Sequence, residues 1–218
     1  MRLRYVLALA LVLVTGSAQA QTSMVQGPAA PAPVVPAPVQ VQPQAAPAGP
    51  AARTTLAPGP GDPTNVEDVV LAAQPAAILA GTSTWDDGFI TLKGAFGRIE
   101  DALGKAGIPP RGRPVAVFVH TDDAGFRYEA MVPVASVPEG RAELDPEIRF
   151  GRTPEGKSLR FVHKDAYDEI DGTYETITAY LDAKDIVAKD AFIEEYVTDL
   201  TDSADTNLEV NIYVQPKD

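Results

Sequence analysis

Apolar side chains repeat at helical spacing in two parts of the chain that lie 78 residues apart. Within each set the intervals are 3, 4, 3 and 4 residues, which places all members on one face of an α-helix. The earlier set is Phe89, Leu92, Phe96, Ile99 and Leu103, and the later set is Tyr167, Ile170, Tyr174, Ile177 and Leu181. Two amphipathic helices in the same register indicate a duplicated unit whose helices pack on a sheet.

Segments rich in β-branched and aromatic residues flank both predicted helices. In the first half the predicted strands are 69–84, 114–121 and 126–134, and in the second half they are 158–163, 191–199 and 207–214. Residues 148–150 are expected to begin the first strand of the second half, which continues at 158. The helices are expected to run from Asp86 or Asp87, as capping acids, to Ala106 and from Asp165 to Lys184. The predicted fold class is therefore α+β: two β-α-β-β pseudo-repeats forming one antiparallel sheet with two helices on one face. The helix-free face is expected to form a concave trough along the pseudo-twofold axis.

The first 63 residues have the composition of an export signal followed by a linker. Arg2 and Arg4 precede an apolar run that is too short to span a bilayer, and a small-residue segment ends at Ala20. This pattern predicts a signal peptide over 1–20, and the sequence leaves open whether it is cut or stays as an anchor. Residues 21–63 are rich in Ala and Pro, which predicts a disordered linker before a domain at 64–218. We expect a periplasmic or secreted protein with no stable membrane insertion after cleavage.

Acidic residues outnumber basic ones by 30 to 18, and the formal net charge is −12. Such a surface repels phosphates, so nucleic acid is not an expected partner, and a small hydrophobic or cationic molecule is the more natural ligand. The acidity can also serve solubility alone. The chain has no cysteine and only two histidines, His120 and His163, so no metal and no cofactor are expected.

Short motifs in the second half share their order and spacing with one known family. They are Gly-Arg-Thr-Pro-Glu-Gly-Lys at 151–157, His-Lys-Asp-Ala-Tyr at 163–167, Glu-Glu-Tyr-Val-Thr-Asp at 194–199 and Val-Asn-Ile-Tyr-Val-Gln-Pro at 210–216. With the duplicated plan they resemble, over about residues 66–216, the GyrI-like effector-binding domain. This domain is the ligand module of many multidrug-sensing transcription activators and is similar in fold to SOUL haem-binding proteins. Because no helix-turn-helix pattern precedes the motifs, the resemblance does not imply a transcription factor.

The resemblance implies a small-molecule pocket on the sheet, lined by aromatic side chains, in which a buried carboxylate meets a cationic ligand. The family acid lies two residues before the tyrosine of the penultimate strand, a position held here by Glu194, with Tyr196 on the same face of the strand. Glu195 then points the other way and is expected to be a surface acid. Another frequent acid of the family is replaced by Asn211, which argues against the cation-binding strength of the family and against hydrolytic activity.

The predicted function is an exported domain that captures hydrophobic, cationic small molecules in the trough on the sheet, with Glu194 as the counter-charge. The predicted ligand-binding residues are Glu194, Tyr196, Tyr128, Met131, Asn211 and Trp85. Tyr167 and Tyr174 are assigned to the core because of their helical spacing. Two alternatives stay open at this point. One is a hydrolase of reactive small molecules, in which Glu194 activates water and Tyr196 donates a proton; the other is a structural or protein-interaction domain whose trough is closed by packing.

Overall fold

The computed structural model describes residues 52–217, so the predicted signal peptide and most of the predicted linker lie outside the described residues. The strands in this range are β1 (Glu67–Leu71), β2 (Pro75–Ser83), β3 (Val115–Asp122), β4 (Gly125–Pro133), β5 (Glu143–Asp145), β6 (Ile148–Arg152), β7 (Gly156–Lys164), β8 (Ala188–Tyr196) and β9 (Glu209–Pro216). The helices are α1 (Gly88–Lys105) and α2 (Ile170–Ala183), and a 3-10 turn (Tyr167–Glu169) directly precedes α2. Neither helix is long and apolar enough to cross a membrane.

The order of the strands reflects the duplication of the sequence. Within residues 52–217 all nine strands form one sheet in the order β1-β7-β9-β8-β3-β4-β2-β6-β5, and neighbouring strands run antiparallel. The inner six strands therefore form two equivalent triplets that meet where β8 pairs with β3. At this junction Ala116 lies opposite Glu194 and Val117 opposite Ile193. Since residues 116 and 194 are also 78 positions apart, the pseudo-twofold axis passes through this pair.

Both helices pack on one face of the sheet, as their apolar faces predict. Leu92 and Ile99 of α1 and Ile177 of α2 are fully buried. They belong to the same core cluster as Tyr196 of β8 and Ile212 of β9. The predicted α+β class, with two β-α-β-β pseudo-repeats and both helices on one face of an antiparallel sheet, is confirmed.

Several element boundaries differ from the predictions. The strand predicted over 69–84 is two strands, since Pro75 has no amide to continue a ladder: β1 pairs with β7, and β2 pairs with β4 and β6. Residues 148–150 pair with β2 as part of β6 and do not continue into β7. Asp87 occupies the N-cap position of α1 without a side-chain capping bond, because its carboxylate instead accepts a hydrogen bond from the Thr84 hydroxyl at 2.9 Å.

Residues 53–61, which we call the strap, cover part of the sheet face opposite the helices. Leu56 is 5 % exposed and Ala57 is fully buried, and both pack with Ile193 and Tyr213 on this face. Two predictions are therefore wrong: these residues are not a disordered linker, and the helix-free face is not an open trough. An apolar sheet face must be covered by another element, and the strap covers this one although its prolines exclude it from helix and strand.

The duplicated core predicts matched effects of truncation in the two halves. Ile99→Ala and Ile177→Ala each remove a fully buried side chain at equivalent positions, and each should lower the free energy of unfolding by about 2–5 kcal/mol. Because one sheet joins the halves, each variant should still unfold in a single transition in urea. Ile90→Ala is the control, since Ile90 is 68 % exposed. Two separate transitions in either core variant would contradict a single cooperative core.

Candidate functional site

Strand β8 buries two consecutive carboxylates at the centre of the sheet, one on each face. Glu194 and Glu195 are 1 % and 0 % exposed. Their neighbours are β3 on one side and β9 on the other, so neither residue is near an edge of the sheet. Because side chains alternate along a strand, Glu194 faces the helices and Glu195 faces the strap. Glu194 therefore does not line the helix-free face, where the trough was predicted. The prediction that Glu195 is a surface acid is wrong.

Two tyrosine hydroxyls hold the Glu194 carboxylate on the helix side. The Tyr174 hydroxyl donates to Glu194 Oε1 at 2.6 Å, and the Tyr196 hydroxyl donates to Oε2 at 2.5 Å. Tyr174 comes from α2 and Tyr196 from β8 itself, two residues beyond the glutamate. The Tyr196 ring also makes an edge contact with Phe96 of α1, at 5.3 Å between centroids. Both donors thus come from the second half of the duplication, and the first half contributes the Phe96 ring beside Tyr196.

The electrostatic state of this group is set by burial. Removal from water raises the pKa of the Glu194 carboxyl above its usual 4.5, and the two tyrosine hydrogen bonds oppose the rise only in part. Burial also raises the pKa of Tyr196 and Tyr174, and the nearby Glu194 raises both further, so both remain hydroxyl donors. Among residues 52–217 no Lys, Arg or His forms an ion pair with Glu194. The site therefore holds a buried acid without a counter-charge.

Glu195 is held on the other face by a separate set of donors. Asn211 Nδ2 and the Tyr213 hydroxyl donate to Oε2 at 2.9 and 2.7 Å, and the Leu56 amide of the strap donates to Oε1 at 2.5 Å. Burial raises the pKa of this carboxyl as well, while these hydrogen bonds and the charge of Arg160 oppose the rise. The sheet thus keeps the two acids in different environments.

The six residues predicted to bind the ligand do not form one site. Tyr128 shares the helix-side core with Tyr196, but its hydroxyl lies close to Gly81 of β2, where an added Cβ would be 2.5 Å from it. Met131 lies in the cluster under the strap, as does Asn211 through its bond to Glu195. Trp85 is 53 % exposed and donates its indole N–H to the Asp122 carbonyl. Only Glu194 and Tyr196 are in direct contact.

Tyr174 is the contact residue that the sequence reasoning missed. Its helical spacing assigned it to the core, yet it is only partly buried and its hydroxyl meets Glu194. The repeat contained a signal: Tyr174 corresponds to Phe96, Tyr196 to Phe118 and Glu194 to Ala116. At each of these pairs the second half adds a polar group that the first half lacks.

A surface depression beside α2 leads to this tyrosine. It is lined by Asp171, Tyr174, Glu175, Thr178, Ala179 and Asp182. The ring of Tyr174 is thus exposed to the depression on one side and bonded to Glu194 on the other. Three of the six lining residues are acids, so the approach to the buried carboxylate is negatively charged.

The His163 side chain contacts residues at the start of the second helical segment. Its Nδ1 lies 2.8 Å from Thr173 Oγ1 and its Nε2 lies 2.9 Å from the Ala166 carbonyl oxygen. Both ring nitrogens are therefore engaged within the fold. In the described range, no group of three or more His, Cys, Asp or Glu side chains is arranged to hold a metal ion.

A buried carboxylate ringed by aromatic side chains on a duplicated α+β sheet defines a small-molecule-binding domain of the GyrI type. A family model described as GyrI-like small molecule binding domain matches residues 64–217, and the chain belongs to this family. The resemblance stated from the motifs is confirmed. A search of the curated proteins found no match to the chain.

Solved structures share the fold at low sequence identity. In the EcmrR–DNA complex, an EcmrR chain is 14 % identical with a TM-score of 0.58, over 70 % of this chain and 57 % of that chain. The EcmrR C-terminal domain is 11 % identical with a TM-score of 0.55, over 70 % of this chain and 97 % of that chain. A hydrolase from Listeria innocua is 10 % identical with a TM-score of 0.50, over 70 % and 91 %. The match thus spans little more than half of the EcmrR chain in the complex, and these likenesses establish the fold alone.

The raised pKa of Glu194 predicts how stability changes with pH. Between the usual value of 4.5 and the raised one, the folded protein binds more protons than the unfolded chain, so this group lowers the free energy of unfolding as pH rises. In Glu194→Gln the side chain does not titrate, so this pH-dependent fall in the free energy of unfolding is absent. The variant should be more stable than wild type by about 0.5–2 kcal/mol at pH 8, with a smaller difference at pH 4.5.

Urea unfolding at both pH values measures this difference. Glu143→Gln is the matched control, because it removes the same charge from an exposed position on β5. A Glu194→Gln variant that is less stable than wild type at pH 8, or equally shifted at both pH values, would contradict the buried-charge account.

Proposed function

We propose that this domain captures hydrophobic cations, with Glu194 as the counter-charge that meets the ligand on the helix side of the sheet. One observation carries the proposal: a fully buried carboxylate is held by two neutral hydroxyls and by no cationic side chain of the described range. A buried carboxylate without a counter-charge is costly, and a bound cation compensates it. The family supplies the general role, small-molecule binding.

The ligand reaches Glu194 by displacing the Tyr174 ring. This side chain separates the acidic depression on α2 from the carboxylate, and rotation about its side-chain bonds would open that path.

Aromatic walls suit a cation that carries apolar groups. Phe96 and Tyr196 are already in edge contact at the axis, and the ring of Tyr174 makes an edge contact with Phe192 at 5.4 Å. Ring faces attract a desolvated cation by about 2 kcal/mol, and the same rings bury the apolar part of the ligand. The negative net charge of the chain also raises the local concentration of cations.

Binding of tetraphenylphosphonium to the full chain tests this assignment. Calorimetry should show saturable binding of the cation and much weaker binding of neutral triphenylphosphine oxide. Glu194→Gln should weaken cation binding at least tenfold, which corresponds to about 1.4 kcal/mol, because a charge-assisted contact is lost. Glu143→Gln should bind as wild type does. Equal affinity of wild type and Glu194→Gln, or equal affinity for the cation and the neutral compound, would remove Glu194 from the mechanism.

A hydrolase is the second candidate, and one observation favours it. The Tyr196 hydroxyl contacts the Glu194 carboxylate, so a proton donor and a general base already lie together. Turnover separates the two functions: mass spectrometry of an ester or epoxide probe would show many product molecules per protein from a hydrolase. This product formation should disappear in Glu194→Gln. Stoichiometric recovery of unchanged ligand favours binding instead.

We also propose that the domain acts after export, in the periplasm or outside the cell. The support is the basic, apolar and small-residue pattern of the first 20 residues. N-terminal sequencing of the protein from a periplasmic fraction should identify Gln21 as the first residue. A chain that is found in the cytoplasm and begins at Met1 would contradict export.

A further inference from the structure

The strap is held on the helix-free face mainly through its main chain, and charged side chains of the sheet make the contacts. At one end the Leu56 amide donates to the buried Glu195 carboxylate. At the other end the Arg160 guanidinium donates to the carbonyls of Gly59 and Pro60 at 3.1 and 3.2 Å. Arg160 is itself buried, 3 % exposed, and is neutralised by Glu67. A buried acid and a buried base thus bind the amide and carbonyl groups of one short segment.

The shape and the composition of the strap match those of the helix-free face that it covers. Between the two polar anchors, Leu56 and Ala57 enter the apolar cluster of the helix-free face. Pro58 and Pro60 have no amides that would need partners in this position, and Gly59 between them has a φ of +76°, so the backbone turns here in a way that glycine allows. At Gly61 the strap comes so close to the sheet that an added Cβ would lie 2.3 Å from Val162 Cγ2 and 2.9 Å from Asn211 Oδ1. The apolar residues, the prolines and the glycine of the strap therefore each fit the part of the sheet surface that they contact.

The strap does not use every polar group of this surface. Asn211 is 1 % exposed and its Oδ1 atom accepts no hydrogen bond from any described residue, while its Nδ2 is engaged by Glu195. The free oxygen lies beside the Gly61 backbone. An occupant with one more donor at this point would make a bond that the strap does not make.

We propose that the helix-free face is a peptide-binding groove and that residues 53–61 are its resident ligand. Glu195 accepts a hydrogen bond from an amide N–H, and Arg160 donates to two successive carbonyls. Between these contacts, a leucine and an alanine pack against the apolar cluster of the sheet. The partner that fits is therefore a segment of the form Leu-Ala-Pro-Gly-Pro-Gly that turns at its first glycine, supplied here by the same chain. This groove is independent of the proposed cation site, because Glu195 and Glu194 lie on opposite faces of β8.

A labelled peptide with the sequence of residues 53–62 tests the groove in the full chain. In wild type the resident strap occupies the groove at a high effective concentration, so the peptide should bind weakly or not at all. Leu56→Asp places a second carboxylate against Glu195 and should lift the strap. Fluorescence anisotropy should then show saturable binding, at least tenfold tighter than to wild type. A scrambled peptide is the control.

Peptide chemistry distinguishes main-chain recognition from general hydrophobic contact. A peptide that is N-methylated at Leu56 keeps the side chain but lacks the amide proton that Glu195 accepts, and it should bind at least tenfold more weakly. Gly61→Val is a second receptor variant, since its side chain would collide with Val162 and lift the other end of the strap. If Leu56→Asp does not fold, peptide binding can still be measured with Gly61→Val.

Three results would overturn the proposal. The peptide could fail to bind a folded strap variant, or the N-methylated and unmodified peptides could bind equally. Failure of both receptor variants to fold, judged by loss of the cooperative thermal transition, would make the strap an inseparable part of the core and not a ligand. None of these results depends on whether Glu194 binds a cation, because the cation assay is carried out on wild type.

Discussion

Two consecutive glutamates on a central strand force the protein to bury a carboxylate on each face of its sheet. A buried carboxylate is unfavourable by several kcal/mol unless it is protonated, hydrogen-bonded or paired. The two faces meet this requirement differently: tyrosine hydroxyls hold Glu194 under the helices, and main-chain and side-chain donors hold Glu195 under the strap. The positions of α2 and of the strap both follow from this constraint.

The duplication supplies a symmetric scaffold, and the polar site comes from differences between the halves. The axis passes between Ala116 and Glu194, so the two halves present a methyl group and a carboxylate at the same point. The hydroxyl of Tyr174 is likewise absent from its equivalent, Phe96. One side of the axis is therefore apolar and the other polar. A perfectly repeated sheet would place identical side chains at both equivalent positions and could not produce this asymmetry.

The spacing of apolar and polar residues predicted the features that depend on neighbouring residues in the sequence. Helical spacing located α1 and α2 within a few residues, and strand alternation correctly separated Glu194 from Glu195 onto opposite faces. Tyr128 and Met131 are three residues apart on β4, so alternation already places them on opposite faces, and predicting both for one site disregarded that spacing. The burial of Glu195 depends on Leu56, which is 139 positions away. Composition assigned that leucine to a linker, because composition carries no information about a distant apolar surface.

Glu194 can keep its unfavourable environment only if its strand cannot move to relieve it. β8 is bonded to β3 and β9 on its two sides, and its other face is fixed by the contacts of Glu195 with Asn211, Tyr213 and the strap. A shift of β8 toward water would break those bonds and expose the apolar cluster around them. The fold therefore keeps the Glu194 carboxyl in its buried position, between β3 and β9 and bonded to two tyrosine hydroxyls, because no movement of β8 relieves one face without breaking the contacts of the other.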